Sequence, residues 1–177
     1  MSGPLYEFEG KRPVVAADAF VAPNAAVIGD VVIGSQSSVW FGCTLRGDMN
    51  YIRVGARTNI QDNTVLHINA FSYPCIVGDD VTIGHAAIIH ACTIENNAFV
   101  GMGATVMDGA VIEEGGMLAA CALLSPGKRI GRNELWSGVP AKFVRVLDER
   151  DRANYAGLAE HYVEGTQRFL RGFKPVE

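Results

Sequence analysis

The sequence has little that would suit a membrane or a nucleic acid. No apolar run approaches the roughly 20 residues that a membrane-spanning helix needs, and the first ten residues, MSGPLYEFEG, lack the apolar core of a signal peptide. The 15 Lys and Arg residues are outnumbered by 19 Asp and Glu, and no basic run is longer than two residues. This balance argues against nucleic acid or an anionic membrane as the main partner. We therefore predict a soluble protein of the cytoplasm.

Cysteine and aromatic residues are also scarce. None of the four cysteines, Cys43, Cys75, Cys92 and Cys121, forms a CxxC pair, the common spacing of redox and zinc motifs. A chain of 177 residues buries enough surface to fold without disulfides, so we predict reduced thiols. Hydrophobic residues make up 49% of the chain but aromatic residues only 8%, and the predicted core is therefore aliphatic.

Aliphatic residues recur every six positions through most of the chain. Between successive blocks of this repeat, three residues are added, then five, and then one is removed. The blocks are Val21, Val27, Ile33, Val39 and Leu45; Val54, Ile60 and Leu66; Val77, Ile83 and Ile89; and Ile94, Val100, Val106, Ile112, Leu118, Leu124 and Ile130. Glycine often follows the aliphatic residue, as in Ile33-Gly34, which suits a tight corner where two backbones pack closely.

A period of six predicts a parallel β-helix, in which each hexapeptide forms one side of a triangular coil. The period fits neither the 3.6-residue repeat of an α-helix nor the simple alternation of a hairpin sheet. A β-sandwich would need turn dipeptides such as Asn-Gly every 8–12 residues, and the sequence lacks them at that spacing. With three hexapeptides to a turn, the 18 hexapeptides predict about six coils.

The chain changes character after the segment WSGVPAKFVRVL. We predict a β-helix domain over residues 1–147, including an N-terminal cap strand, and an amphipathic α-helix over residues 148–177 that packs on it and covers the solenoid. Apolar side chains recur at roughly helical spacing in the second segment, at Tyr155, Leu158, Tyr162 and Phe169. Two glycines in this segment weaken its tendency to form a helix, so two shorter helices are an alternative.

Three of the four histidines lie close together in the sequence and suggest a metal site. Leu66 and Ile89 occupy equivalent places in adjacent coils, so the residues that follow them, His67 and His90, should stack about 4.8 Å apart. His85 follows a different side of the coil, so a neighbouring chain of a threefold assembly would supply it to the shared ion. Three histidines with an open fourth position are typical of catalytic zinc, although imidazoles also accept iron or cobalt.

The same coil positions carry other polar residues. Arg46 should lie one coil below His67, and Gln61 and Asp62 one coil below His85. Asp48 is a natural ion-pair partner for an arginine that reaches across an interface. Two roles stay open for these charged residues, namely contact with a substrate or a structural network that holds an assembly together and orients the histidines.

The segments LRGDMNYIRVGARTNIQDNTVLH, VTIGHAAIIHACTI and VGMGATVMDGAVI together resemble the gamma-class carbonic anhydrases, a family of left-handed β-helix trimers. The resemblance covers about residues 10–147. It implies that His67 and His90 of one subunit and His85 of the next hold the metal. It also implies that Arg46 and Asp48 form an ion pair at the interface, that Asn59 and Asp62 support the site, and that Gln61 contacts the metal-bound water. A tyrosine of the C-terminal helix would approach the pocket. Tyr155 is the candidate for this role, and packing of the helix is the alternative role.

The resemblance implies a lyase that hydrates carbon dioxide reversibly to bicarbonate, using a metal-bound hydroxide at the interfaces of a homotrimer. The chain departs from the family pattern where active members carry glutamates for proton transfer, because it has Met49 and the short loop Asn69-Ala70-Phe71 at those places. We therefore expect weak activity. The alternatives are a thioesterase or acyltransferase-like protein acting on CoA esters, and a catalytically silent metal-binding scaffold.

Overall fold

Short strands wind into a left-handed parallel β-helix, and one long α-helix follows them. This arrangement confirms the predicted fold, and it is seen in a computed structural model that describes residues 3–174. The strands are β1 (Leu5–Tyr6), β2 (Val14–Val15), β3 (Phe20–Val21), β4 (Ala26–Ile33), β5 (Ser38–Val39), β6 (Thr44–Val54), β7 (Asn59–Ile60), β8 (Val65–His67), β9 (Cys75–Val77), β10 (Thr82–Ile83), β11 (Ile88–His90), β12 (Thr93–Ile94), β13 (Phe99–Val100), β14 (Thr105–Val106), β15 (Val111–Ile112), β16 (Met117–Leu118), β17 (Leu123–Leu124), β18 (Arg129–Ile130), β19 (Glu134–Gly138) and β20 (Ala141–Val146).

Each turn of the solenoid has three sides. Side 1 is the ladder of β3, β5, β7, β10, β13, β16 and β19. Side 2 consists of β1, the first halves of β4 and β6, and then β8, β11, β14 and β17, whereas side 3 consists of β2, the second halves of β4 and β6, and then β9, β12, β15 and β18. Sides 2 and 3 join into one sheet because β4 and β6 continue across the corner between them.

The solenoid has about seven turns, one more than the hexapeptide count predicted. The additional sides lie at the two ends of the repeat. At the first end, β1 and β2 pair with β4, and at the other end β19 pairs with β16 before the chain reverses into the antiparallel β20. β1 does not keep the six-residue spacing. Val15 of β2 and Trp136 of β19 do keep it, but the hexapeptide count did not include them.

The repeated aliphatic residues point into the solenoid and form its core. Val27, Leu45, Leu66, Ile89, Val106 and Leu124 lie directly above one another on side 2, and all are fully buried. At the predicted corners the coils approach so closely that a Cβ on Gly34 would lie 2.5 Å from the carbonyl oxygen of Gly55. Only glycine fits there, because the backbone of the next coil occupies the space of a side chain.

All four cysteines are free, as predicted. Cys43, Cys75 and Cys92 are buried, and Cys121 is exposed. Burial raises the pKa of the Cys43 thiol to about 11, so this side chain behaves as a small core residue and not as a reactive thiolate.

The C-terminal helix, α1 (Glu149–Gly172), is one continuous helix despite its two internal glycines. It begins at Asp148, whose side chain accepts a hydrogen bond from the backbone N–H of Asp151 at 2.8 Å in a reciprocal capping box. The helix packs on side 1 through Phe169, whose ring lies 6.0 Å from that of Phe20 and 5.0 Å from that of Trp40. Within residues 3–174, no helix is both long enough and apolar enough to cross a bilayer.

We predict that Phe169→Ala releases α1 from the solenoid. The substitution removes a ring that contacts Phe20, Trp40 and Phe41, and loss of a packed Phe costs about 3 kcal/mol of the free energy of unfolding. Phe71→Ala is the matched control because Phe71 is 92% exposed, and we expect it to change stability by less than about 0.5 kcal/mol. Chemical denaturation followed by circular dichroism measures both values. Equal losses in the two variants would contradict the docking of α1.

Candidate metal centre

His67 and His90 lie directly opposite each other on side 2. β8 and β11 pair in parallel with these two residues in register. The ring centroids are 5.2 Å apart, and Nδ1 of His67 lies 3.2 Å from Nε2 of His90. Both side chains point outward because each follows an inward-pointing core residue of the repeat.

Arg46 lies one coil below His67, where β6 pairs with β8. Its guanidinium forms an ion pair with Asp48 of the same chain. Burial favours the neutral form of Asp48, but the backbone N–H of Met49 and the charge of Arg46 outweigh it and hold the pKa of Asp48 below its usual value. Asp48 is therefore an anion at neutral pH and faces the histidine pair.

The imidazole of His67 is held in its neutral form. Burial lowers its pKa, and the charge of Arg46 lowers it further, while Asp48 opposes both effects. Nε2 of His67 is buried without a hydrogen-bond partner among the described residues. Asp48 Oδ1 lies 3.4 Å from this nitrogen but is not aligned for a hydrogen bond. A neutral imidazole with a free ring nitrogen is the form that binds a metal ion.

His85 lies on a different corner of the coil, two residues after β10. Its Nδ1 is 2.9 Å from Oδ2 of Asp62, which lies one coil below. Within residues 3–174, no group of three His, Cys, Asp or Glu side chains is arranged to hold a metal ion. A single chain thus brings His67 and His90 together and leaves His85 elsewhere on its surface.

Asn59 and Gln61 form a hydrogen-bonded network on side 1. Asn59 is buried, and its amide nitrogen donates to Oγ1 of Thr82 at 2.8 Å. Gln61 is also buried and donates from Nε2 to Oδ1 of Asn59 at 3.1 Å. The network fixes the orientation of both amides, which precede Asp62 in the chain.

The two tyrosines of α1 contact different parts of side 1. Tyr155 packs against Phe99, with ring centroids 5.2 Å apart, and lines a cavity of about 330 Å³. Tyr162 packs edge-on against Trp40 at 5.7 Å. Burial raises the pKa of the Tyr162 phenol, and the negative charge of Asp62 raises it further. The sequence left open which tyrosine of α1 approaches the site, and Tyr162 is the one whose phenol is influenced by the charge of a site residue, Asp62.

Asp108 belongs to the same group of residues, although sequence analysis did not single it out. It follows β14, one coil above His90, and its Oδ1 lies 2.6 Å from Nδ1 of that histidine. Burial favours the neutral carboxyl, but hydrogen bonds from Asn69 and His90 outweigh it and hold the pKa of Asp108 below its usual value. Extending by one coil the register count that aligned His67 with His90 reaches Met107, and Asp108 is the next residue in the chain.

The histidine pair is close enough for both imidazoles to reach one metal ion at about 2.0–2.1 Å per bond. Nδ1 of His67 and Nε2 of His90 lie at a hydrogen-bond distance of 3.2 Å, and the nitrogen of His67 without a partner among the described residues is Nε2. Neutral imidazole is a ligand for zinc, iron or cobalt. The residues present therefore fit a divalent metal ion that needs at least one further ligand.

Comparisons with known proteins place these observations in context. No family model matches the chain. It is 50% identical over 162 residues to "Gamma carbonic anhydrase 2, mitochondrial" of Arabidopsis thaliana, covering 89% of the chain but only 58% of that protein's length. It is 42% identical over 165 residues to "Carbonic anhydrase" of Geobacillus kaustophilus, covering 93% of the chain and 90% of that protein.

Among solved structures, the chain resembles a hexapeptide transferase family protein from Anaplasma phagocytophilum with a TM-score of 0.90 and 50% identity, covering 93% of this chain and 97% of that one. The Arabidopsis relative is described as mitochondrial, so the cytoplasmic location of this chain stays a prediction.

We predict that Tyr162 makes the fold sensitive to alkaline pH. Its pKa is raised in the folded state above the unfolded value of about 10, so the neutral phenol stabilises the fold below about pH 10 and this contribution is lost as the pH rises through the folded pKa. Tyr162→Phe keeps the ring on Trp40 but removes the titrating group. Between pH 9 and about 11, the variant should therefore lose less of its unfolding free energy than the wild type.

The control for this prediction is Tyr6→Phe, because Tyr6 is half-exposed on the first coil. Chemical denaturation across the pH range measures all three proteins. Identical losses in the wild type and Tyr162→Phe would show that this phenol ionises equally easily in the folded and unfolded states.

Proposed function

Because the chain belongs to the gamma-class carbonic anhydrase family, we propose that it binds a metal ion between copies of itself and hydrates carbon dioxide reversibly to bicarbonate. The observation that carries the proposal is the pair His67 and His90, whose facing nitrogens are 3.2 Å apart. Zinc is the proposed ion, with iron or cobalt as the alternatives that the same ligands accept.

The proposed assembly is a homotrimer, in which His85 of the partner subunit completes the site. Side 1 packs against α1, whereas side 2 exposes apolar residues next to the histidines. Val65 precedes His67 by two residues and is 39% exposed, and Ile88 precedes His90 by two residues and is 47% exposed. Exposed aliphatic residues beside a metal-ligating pair support burial of this face against another copy.

The residues of this chain would orient the ligands and the reacting water. The ion, when bound, supplies the Lewis acidity that lowers the pKa of a water molecule to about 7. Asp62 holds His85 through its Nδ1, so Nε2 of that ring is free to bind. Gln61, whose amide is fixed by Asn59, would hydrogen-bond the reacting water. Arg46 keeps Asp48 ionised beside His67.

Proton release is the step that this chain supports least. Hydration leaves a proton that a titratable group must carry to solvent. Met49, which is 63% exposed, stands where active members of the family carry a glutamate, and its side chain cannot carry a proton. Asp48 is engaged with Arg46, and Asp62 and Asp108 are engaged with histidines. We therefore propose slow turnover that depends on an external proton acceptor.

A second candidate function is chemistry on an acyl ester. It is favoured by the name of the solved structure with 50% identity, a hexapeptide transferase family protein. A thioesterase would use the same activated water on a CoA ester, whereas an acyltransferase would need no three-histidine site. A catalytically silent scaffold would bind the same metal and is separated from both only by assay.

We predict that metal binding recovers when two inactive variants assemble together. His67→Ala and His85→Ala each lack one ligand at every site of a homotrimer. In trimers formed from an equal mixture, an interface with His67 and His90 from one variant and His85 from the other is intact, and this is expected at about one quarter of the interfaces. The measurement is metal content per chain after joint unfolding, refolding in zinc and desalting.

Mixing His67→Ala with His90→Ala is the matched control. Both substitutions remove ligands from the same half of the site, so no interface contains all three histidines. Equal zinc content in the two mixtures, or no recovery in the first, would contradict a site shared between subunits.

We also predict that carbon dioxide hydration accelerates with a diffusible buffer. Stopped-flow measurements should give a low kcat that rises with imidazole concentration at constant pH and ionic strength, because the buffer replaces the missing proton relay. Met49→Glu should weaken this dependence. Fast turnover independent of imidazole would show that a residue of the chain already carries the proton, whereas inactivity with every metal tested would favour the acyl-ester or scaffold function.

A further inference from the structure

Asp108 joins His90 to the loop that follows His67. One carboxylate oxygen, Oδ1, lies 2.6 Å from Nδ1 of His90, and the other, Oδ2, accepts a hydrogen bond from Nδ2 of Asn69 at 2.8 Å. Both carboxylate oxygens are therefore engaged by different elements of the fold. The carboxylate cannot rotate without losing at least one of these contacts.

The contact with Asp108 determines which nitrogen of His90 is free. An ionised carboxylate only accepts hydrogen bonds, so Nδ1 of His90 carries the proton that it donates to Oδ1. The other nitrogen, Nε2, then has a free lone pair, and this is the nitrogen that faces His67 at 3.2 Å. A hydrogen-bonded carboxylate behind a histidine fixes the ring orientation and increases its basicity as a ligand.

The loop holds Asp108 in place because it is itself well ordered by hydrogen bonds. Oδ1 of Asn69 accepts from the backbone N–H groups of Phe71 at 3.1 Å and Ser72 at 3.3 Å. The backbone N–H of Asn69 donates to the carbonyl of Tyr73 at 3.0 Å. The ring of Tyr73 packs over Gly109, where an added Cβ would lie 3.0 Å from it. The Asn69 amide is thus positioned before Asp108 engages it.

We infer that Asp108 is a positioning residue that presents Nε2 of His90 to the metal, and that Asn69 keeps Asp108 in this orientation. The inference rests on the proposed metal-dependent function. It adds a third carboxylate to those of Asp48 and Asp62, and it assigns the loop after His67 a supporting role in the site although that loop carries no carboxylate of its own.

The test compares Asp108→Ala and Asp108→Asn with the wild type. Asp108→Ala removes both contacts, whereas Asp108→Asn keeps the shape and loses the charge and one acceptor. Zinc affinity, measured by competition with a chelator, should fall about 10–100-fold in the alanine variant, the usual effect of losing such a carboxylate, and less in the asparagine variant. Asp18→Asn is the control, because Asp18 accepts hydrogen bonds from Ser35 and Gln36 at a different corner of the solenoid.

A second measurement uses the metal-free protein. Nitrogen-15 NMR of the histidine rings at a pH where they are neutral should show the proton of His90 on Nδ1 in the wild type and in Asp18→Asn, and a shift of population to Nε2 in Asp108→Ala. Asn69→Ala should shift it in the same direction by a smaller amount. Thermal melting and sedimentation of each variant show whether the assembly remains intact.

The inference is overturned if His90 carries its proton on Nε2 in the wild type, or if folded Asp108→Ala binds zinc as tightly as the wild type. A wild-type protein that binds no metal would refute the proposed function instead. In that case the position of the His90 proton in the metal-free wild type and Asp108→Ala still decides whether Asp108 sets the tautomer.

Discussion

The hydrogen-bonded register between successive coils is the constraint on which the rest of this structure depends. Each strand pairs in parallel with the equivalent strand of the next turn, so residues on adjacent coils lie opposite each other. The same ladder that aligns Leu45, Leu66 and Ile89 in the core aligns Arg46, His67 and His90 on the surface. The core and the site are therefore two faces of one repeat, and a slip of one residue would destroy both.

Insertions that interrupt the six-residue period supply side chains of the candidate site that the paired strands themselves do not carry. The extra residues in the middle of β6 produce a local register shift between β4 and β6. The core positions still align after these residues and after the loop that follows β8, because Val54 pairs with Val77. The extra residues extend outward at the corner between sides 2 and 3 instead. Asp48 and Asn69 both belong to these extensions. Asp48 lies next to His67 directly, whereas Asn69 is linked to His90 through Asp108.

The features predicted from sequence are those that the register determines. The stacking of His67 with His90 and the placement of Asp62 below His85 follow from counting hexapeptides. The seventh turn was missed because the hexapeptide count began at Val21 and ended at Ile130. Val15 of β2 and Trp136 of β19 continue the same spacing beyond those limits. The contacts of Tyr155 and Tyr162 depend on how α1 docks, and no periodicity of the solenoid encodes that docking.

Each of the three candidate ligand histidines lies beside its own aspartate, and these carboxylates affect the net charge around the histidines. Asp48, Asp62 and Asp108 outnumber the single guanidinium of Arg46. In the proposed trimer, with neutral imidazoles, these carboxylates would make the shared site negative, and a divalent cation would relieve their mutual repulsion. The same negative charge would disfavour retention of the proposed anionic product, bicarbonate.

Helix α1 also affects the order in which the parts of the fold form. A stack of coils is a linear array that can form from one end as the chain is synthesised. Here the aromatic surface of Phe20 and Trp40, built in the first coils, is covered by Tyr162 and Phe169 of α1, which follows all the coils in the chain. The nascent chain therefore carries an uncovered aromatic patch until α1 has been synthesised. Contacts between residues so distant in sequence raise the contact order of the fold, which slows folding.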